Sequence, residues 1–222
     1  MRHLPLLALT CTLLGSGPGT LCAGAWLQPE GQGFASTTTR LGWAQQEPVQ
    51  NFPSPEMRYD TLYLEYGLHR RLTFGTDLGR SISGGGKAVA FLRVPLRGKG
   101  PMRVAAELAL GRIEGVATLR PGLSVGLGLE NGWLNADLLA EMRGAEGTDY
   151  KLDLTYGLRL PRKLRLILQV QSGVQQGDVP FARFAPSVVV PLRRRLQAEI
   201  GGSWGLTGDK SAGLLLGLWT EF

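Results

Sequence analysis

The chain has 222 residues, among them 32 Gly and 13 Pro, with 19% charged residues and a formal net charge of +6. Its 43% hydrophobic content excludes a disordered chain, and so much glycine argues against long helices or coiled coils. Two Cys and two His leave little material for clustered thiol or imidazole chemistry.

The first element is an address. Met1-Arg2-His3 is followed by an apolar stretch from Leu4 to Leu14, and small residues lead to Leu21-Cys22-Ala23-Gly24-Ala25. A charged start, a short apolar core and a small-residue cleavage site describe a secretory signal peptide. The stretch is too short for a spanning helix, which needs about 20 apolar residues. Cleavage is expected after Ala23, alternatively after Ala25, which makes 1–23 the signal peptide and 24–222 the working domain. Lipoprotein processing at Cys22 does not fit, because Leu21 stands where a small residue is required. Both cysteines leave with this segment, so the exported chain relies on no disulfide. The remaining residues carry 23 Lys and Arg against 18 Asp and Glu, or +5, and His69 is their one histidine.

Period-two alternation then recurs along the chain. In Lys151–Leu160 the even positions Leu152, Leu154, Tyr156, Leu158 and Leu160 oppose Lys151, Asp153, Thr155, Gly157 and Arg159. Successive side chains of a strand point to opposite faces, so the segment has one apolar and one polar or small face. About twelve such segments follow one another, at roughly 31–41, 58–68, 71–80, 86–96, 101–111, 115–128, 132–142, 149–160, 163–173, 180–191, 194–206 and 211–222. Short turns fall at His69-Arg70, Arg97–Gly100, Glu130–Gly132, Pro161-Arg162 and Leu192-Arg193, and Asn131-Gly132 is a hairpin signal. Looser connections alternate with them, the longest being 42–57.

Such a chain is either a soluble β-barrel or sandwich with an apolar inside, or a transmembrane barrel with an apolar outside. The polar faces decide for the second. They mix charges with Gly, Ala, Ser and Gln, which suits a crowded lumen, and Tyr59, Tyr66, Tyr150, Trp204 and Trp219 near strand ends fit aromatic girdles. The fold expected is an all-β, up-and-down antiparallel transmembrane barrel of about 12 strands, with 10 or 14 as alternatives. The last segment places Leu214, Leu216, Leu218 and Phe222 on one face, with Thr220 as its polar member. An amphipathic final strand ending in Phe resembles the insertion signal of Gram-negative outer-membrane β-barrel proteins. That resemblance implies an outer-membrane location, a periplasmic C-terminus, and lipids and the barrel-insertion machinery as partners. Gly24-Ala25-Trp26…Pro29-Glu30-Gly31-Gln32-Gly33 looks like the opening of the XagA-like exported barrel group, which implies a fold and no activity.

With a periplasmic C-terminus, twelve strands put both termini and the short turns in the periplasm. Four of those turns are basic, through Arg70-Arg71, Arg97 with Lys99, Arg162-Lys163 and Arg193-Arg194-Arg195, whereas Glu47, Glu56, Glu114, Glu146, Asp149, Asp178 and Asp209 belong to the opposite loops. The basic end either draws anions or pairs with anionic headgroups. Nucleic-acid binding is not expected, since no recognition motif accompanies these turns.

Alternation assigns the lumen residues strand by strand. Glu65, Asp77 and Arg93 come first, then Arg103, Glu107 and Arg120. Asp137, Glu141, Lys151, Asp153 and Arg159 follow, and Arg165, Arg183, Arg195 and Glu199 complete the set. Both signs lie on neighbouring strands, which suits either a charge-lined conduit or a salt-bridged plug. Catalysis is not expected: His69 sits in a turn, and Asp137 with Glu141 reads as part of a charge network. No metal or cofactor is expected. The function expected is a passive channel or facilitator for a small hydrophilic solute, with the basic turns favouring an anion. The alternative is a non-conducting accessory barrel of an export or polysaccharide-secretion apparatus.

Overall fold

A computed structural model describes residues 24–46, 54–98 and 100–222; the segment read as a signal peptide lies outside the described residues. The chain forms twelve strands: β1 (Gly33–Ala44), β2 (Met57–His69), β3 (Leu72–Ser81), β4 (Gly86–Arg97), β5 (Met102–Ile113), β6 (Val116–Leu129), β7 (Gly132–Met142), β8 (Thr148–Arg159), β9 (Arg165–Val174), β10 (Phe181–Pro191), β11 (Leu196–Thr207) and β12 (Ser211–Glu221). Each pairs antiparallel with its chain neighbours, and β1 pairs with β12 from Phe34↔Glu221 to Ala44↔Ser211. The sheet therefore closes into an up-and-down barrel without a free edge.

Every strand end lies within three residues of the alternating segment that foretells it. The turns are less regular. Glu130 and Asn131 make the β6–β7 connection, and neither has positive φ. Gly132 is instead the first residue of β7, where a methyl group would overlap the Gly157 carbonyl. The two-residue turn with left-handed backbone is Glu114-Gly115, at φ 49° and 80°, between β5 and β6. It lies at the end opposite the termini, so short connections are not confined to the terminal end. Pro121 has no N–H to give, and the β6–β7 ladder skips from Leu119↔Met142 to Gly122↔Leu139 around it.

The two faces are inverted relative to a water-soluble barrel. Leu62, Leu92, Leu108, Leu138, Leu154, Ile200, Leu216 and Leu218 stand exposed on the outer wall, between 45 and 54% accessible. An apolar belt of this extent far exceeds what a soluble monomer shows. Glu65, Arg93, Glu107, Arg120, Glu141 and Glu199 are buried inside, each below 10%. Tyr66, Tyr150 and Trp204 face outward, but Tyr59 and Trp219 do not join them in a girdle. Tyr59 packs over Gly79, and Trp219 packs against Trp133, Ile167 and Val189 inside the barrel. Both have the parity of charged lumen residues on their own or a paired strand, which outweighs their position near a strand end.

Candidate functional site

One half of the interior wall is an ion-pair block. Alternation turns Glu65 of β2, Asp77 of β3, Lys87 and Arg93 of β4, Glu107 of β5 and Arg120 of β6 inward. The register then sets Arg93 directly across from Glu107. Arg93 Nη2 lies 2.8 Å from Glu107, and Arg93 Nη1 donates to Glu65. Arg120 spans Glu107 at 3.1 Å and Asp77 at 2.8 Å, and Lys87 closes on Asp77 at 2.7 Å. Signs alternate along the chain of contacts from Glu65 through Arg93, Glu107, Arg120 and Asp77 to Lys87, so each arginine fork holds two carboxylates. Tyr63 donates to Glu65 and stacks on Phe91, with the Arg93 guanidinium 4.9 Å above that ring. Gly75 makes the room: a methyl there would overlap the Phe91 ring.

The other half, β7 to β12 with β1, is more varied. Glu141 pairs with Lys151 at 2.7 Å and Asp149 with Arg143 at 2.8 Å. Glu199 accepts from Ser187 Oγ at 2.7 Å and Trp219 Nε1 at 3.0 Å. Gln171 donates to Gln169, which donates to Thr155. Arg40 of β1 faces the same space, and among the described residues no hydrogen bond or ion pair is formed by its side chain. An apolar patch of Trp133, Ile167 and Val189, joined by Trp26 and Trp219, lies within this wall. Gly157 seats Trp133 as Gly75 seats Phe91.

Between the halves lies a cavity of about 550 Å³. It is bordered by the cations Arg40, Lys87, Arg93, Arg120, Lys151 and Arg183 and by the carboxylates Glu65, Asp77, Glu107, Asp137, Glu141, Asp153 and Glu199. The lining is thus close to charge-neutral. A smaller cavity of about 160 Å³ runs beside Arg40, Gln169, Gln171 and Trp219.

Four residues assigned to the lumen do not border either cavity. Arg103 folds onto the Gly100 and Met102 carbonyls of the β4–β5 turn. Arg159 lies over the Trp133 ring, its guanidinium 5.9 Å from the centroid. Arg165 approaches Glu221 at 3.8 Å, and Arg195 is exposed in the turn before β11. All four keep inward parity but lie where strands end, so they sit at the rim. Four participants escaped the sequence reading. Arg40 and Lys87 have lumen parity on β1 and β4, a signal that was present. Asp149, read as a loop acid, is buried in β8 and carries the same parity as Lys151 and Asp153. Gln28 lies ahead of β1, where alternation gives no guidance.

At the end opposite the termini, Asp209 accepts from the Ser211 amide at 2.9 Å and hydroxyl at 2.7 Å, and pairs with Arg183 at 2.7 Å. Burial pushes its carboxyl up, but the Ser211 bonds and the Arg183 charge outweigh this and hold it below the usual carboxylate range. His69 is exposed at the end of β2. No group of three or more His, Cys, Asp or Glu placed to hold a metal occurs among the described residues.

No family model matches the sequence, and no curated protein matches it. Among solved structures, the KdgM porin in complex with disordered oligogalacturonate superimposes with a TM-score of 0.65 at 7% identity, over 84% of this chain and 99% of that one. The NanC porin gives 0.65 at 7% identity, over 84% and 98%. The COG4313 outer membrane channel from Pseudomonas putida F1 gives 0.55 at 14% identity, over 93% and 99%. At these identities the likeness is one of fold: this chain shares the closed antiparallel barrel of outer-membrane channels.

Proposed function

We propose that this chain is an outer-membrane barrel that passes a small hydrophilic solute by passive diffusion, with anions favoured. The observation that carries this reading is a polar, partly open interior enclosed by a closed barrel with an apolar outer wall. Lipid outside and water inside is the arrangement that such a wall stabilises. Structural similarity to channels, one of them solved with an acidic oligosaccharide, supports it. The lining itself is nearly balanced in charge. The preference for anions therefore rests on the end that carries the termini, which we place in the periplasm. Arg70, Arg71, Arg97, Arg162, Lys163, Arg193, Arg194 and Arg195 are all exposed there. Such a collar raises the local concentration of anions, and salt weakens the effect over a Debye length of about 10 Å at 0.1 M. The assigned lumen residues that border the cavity would then be the surface met by solute, and β12 with the Phe222 that follows it the segment read by the insertion machinery.

The accessory-barrel reading is favoured by one observation: the ion-pair block fills one side of the lumen and leaves a narrow passage. Swelling of liposomes holding refolded protein separates the two. The channel reading expects small organic anions to enter faster than cations of equal size, with the difference shrinking at high salt. Liposomes that swell no faster than empty ones would support the accessory barrel and overturn the channel.

A further inference from the structure

Residues 24–32 precede β1; residues 24–28 lie inside the barrel, and residues 29–32 are exposed at its rim. Gln28 is 2% exposed; its backbone N–H donates to Thr73 Oγ1 at 3.0 Å, and its Nε2 donates to Glu65 at 2.8 Å. Trp26 packs against the apolar patch of the opposite wall, and Ala25 is buried. Gly24 borders the cavity, and a methyl group on it would overlap Asp137 Oδ1 and Ser124 Oγ. Asp137 and Ser124 are register partners near the middle of β7 and β6, so the segment reaches about halfway along the lumen.

At that point the wall has an electrostatic gap. Asp137 of β7 stands directly across from Asp153 of β8. Like charges at paired positions repel. Asp137 accepts from Ser124 at 2.6 Å and from Asn135 Nδ2, but neither carboxylate has an ion pair among the described residues. Lys151 and Lys87, which border the same cavity, are held by Glu141 and Asp77, and Arg40 of β1, which also borders it, comes within ion-pair distance of neither Asp137 nor Asp153. Asn135 is 4% exposed, and its Oδ1 is buried without a donor. Two carboxylates and an orphan acceptor call for a compact cation with several N–H bonds.

We propose that export processing supplies this cation: hydrolysis of the Ala23–Gly24 bond creates an α-ammonium at Gly24 that pairs with Asp137 and locks residues 24–28 in the lumen as a tethered plug. Water is the co-reactant. Its oxygen joins the Ala23 carbonyl carbon, the C–N bond breaks, and Ala23 leaves with a carboxylate. The Gly24 nitrogen keeps the bonding pair, takes up protons and becomes –NH3+. An uncleaved peptide nitrogen carries no charge at this position. Cleavage after Ala25 would remove both seated residues and leave Asp137 without a cation at ion-pair distance. Glycine at this first position leaves room for the Asp137 carboxylate and Ser124 hydroxyl, which a Cβ would have to push aside. The inference rests on reading the chain as an exported barrel, but not on its conducting.

The test starts from full-length protein expressed with its leader and purified from outer membranes. Intact mass and N-terminal sequencing are expected to give a chain beginning at Gly24; a chain beginning at Trp26 or Met1 overturns the proposal. The α-amine is then acetylated with a water-soluble ester and quantified by peptide mass spectrometry. An opposite charge within 4–6 Å shifts a titration by about 1–3 units, so the folded amine should react at least about tenfold more slowly than the heat-unfolded one. Asp137→Asn should restore most of that reactivity, and Asp153→Asn part of it, in barrels that still show heat-dependent gel migration. Equal reactivity of folded and unfolded wild type overturns the proposal. Protection that survives both substitutions reflects burial alone and overturns it too. If Asp137→Asn does not fold, Asp153→Asn and the wild-type ratio decide. A Gly24 terminus in bilayers that stay silent would sink the channel and leave this inference standing.

Discussion

Arg93 and Arg120 organise the interior. Each is below 5% exposed and bridges two carboxylates, and each also leaves its Nε without an acceptor. Removing one partner of a buried pair strands the other charges, at a cost of about 3–5 kcal/mol, whereas an apolar replacement of the whole group is often neutral. Arg93→Ala should therefore lower stability to urea by about that amount, and Arg93→Met combined with Glu65→Leu, which leaves Glu107 paired with Arg120, should recover part of it; equal losses in both would argue against a buried network. Asp209 gives a pH prediction. Its folded value is depressed, so the tie to Arg183 and Ser211 contributes stability above the ordinary aspartate value and loses it as pH falls through the lower folded value. Proteolytic nicking of the Thr207–Ser211 loop should rise in that acidic window in wild type, and Asp209→Asn should be nicked at neutral pH already. At this scale the sequence speaks through parity. Glu65, Glu107 and Glu199 are placed by alternation alone. Their partners are not, because Arg120 reaches Asp77 across two intervening strands, a distance set by barrel curvature rather than spacing.

β12 is the element whose outer face most directly separates a lipid-facing barrel from a water-facing one. Leu216 and Leu218 are each 45% exposed, while Trp219 on the other face donates to Glu199. In water, Leu216→Arg would be nearly neutral. At mid-bilayer it should cost about 2–4 kcal/mol. Urea titration of the refolded variant in lipid vesicles measures this, and an unchanged midpoint would contradict a lipid-facing β12. The strands themselves were legible because each alternates for ten residues or more and no helical period competes. The turns were less so. Asn131-Gly132 is a hairpin pair by composition, yet Gly132 is consumed by its close approach to Gly157, a contact with a strand that begins 16 residues later. Trp219 was misplaced for a related reason. A strand-end aromatic suits a girdle, but only the closed register shows the inner patch that it completes.

The whole molecule combines an inverted barrel, a basic terminal rim and a lumen narrowed by its own charges and N-terminal segment. The barrel and its lumen parity could be read from alternation. The filling of the lumen could not: Gln28 and Trp26 precede the first strand, and only three-dimensional closure brings them to Thr73 and Val189. The balance between open passage and plug depends on side-chain reach across about 550 Å³, which no one-dimensional pattern encodes. Single-channel recording in planar bilayers, with heat-modifiable refolded protein in a salt gradient, tests the central claim directly. Discrete conductance steps with a reversal potential displaced toward the anion equilibrium value are the predicted result. Bilayers that remain silent at the same protein load, or a reversal potential displaced toward the cation value, would contradict it.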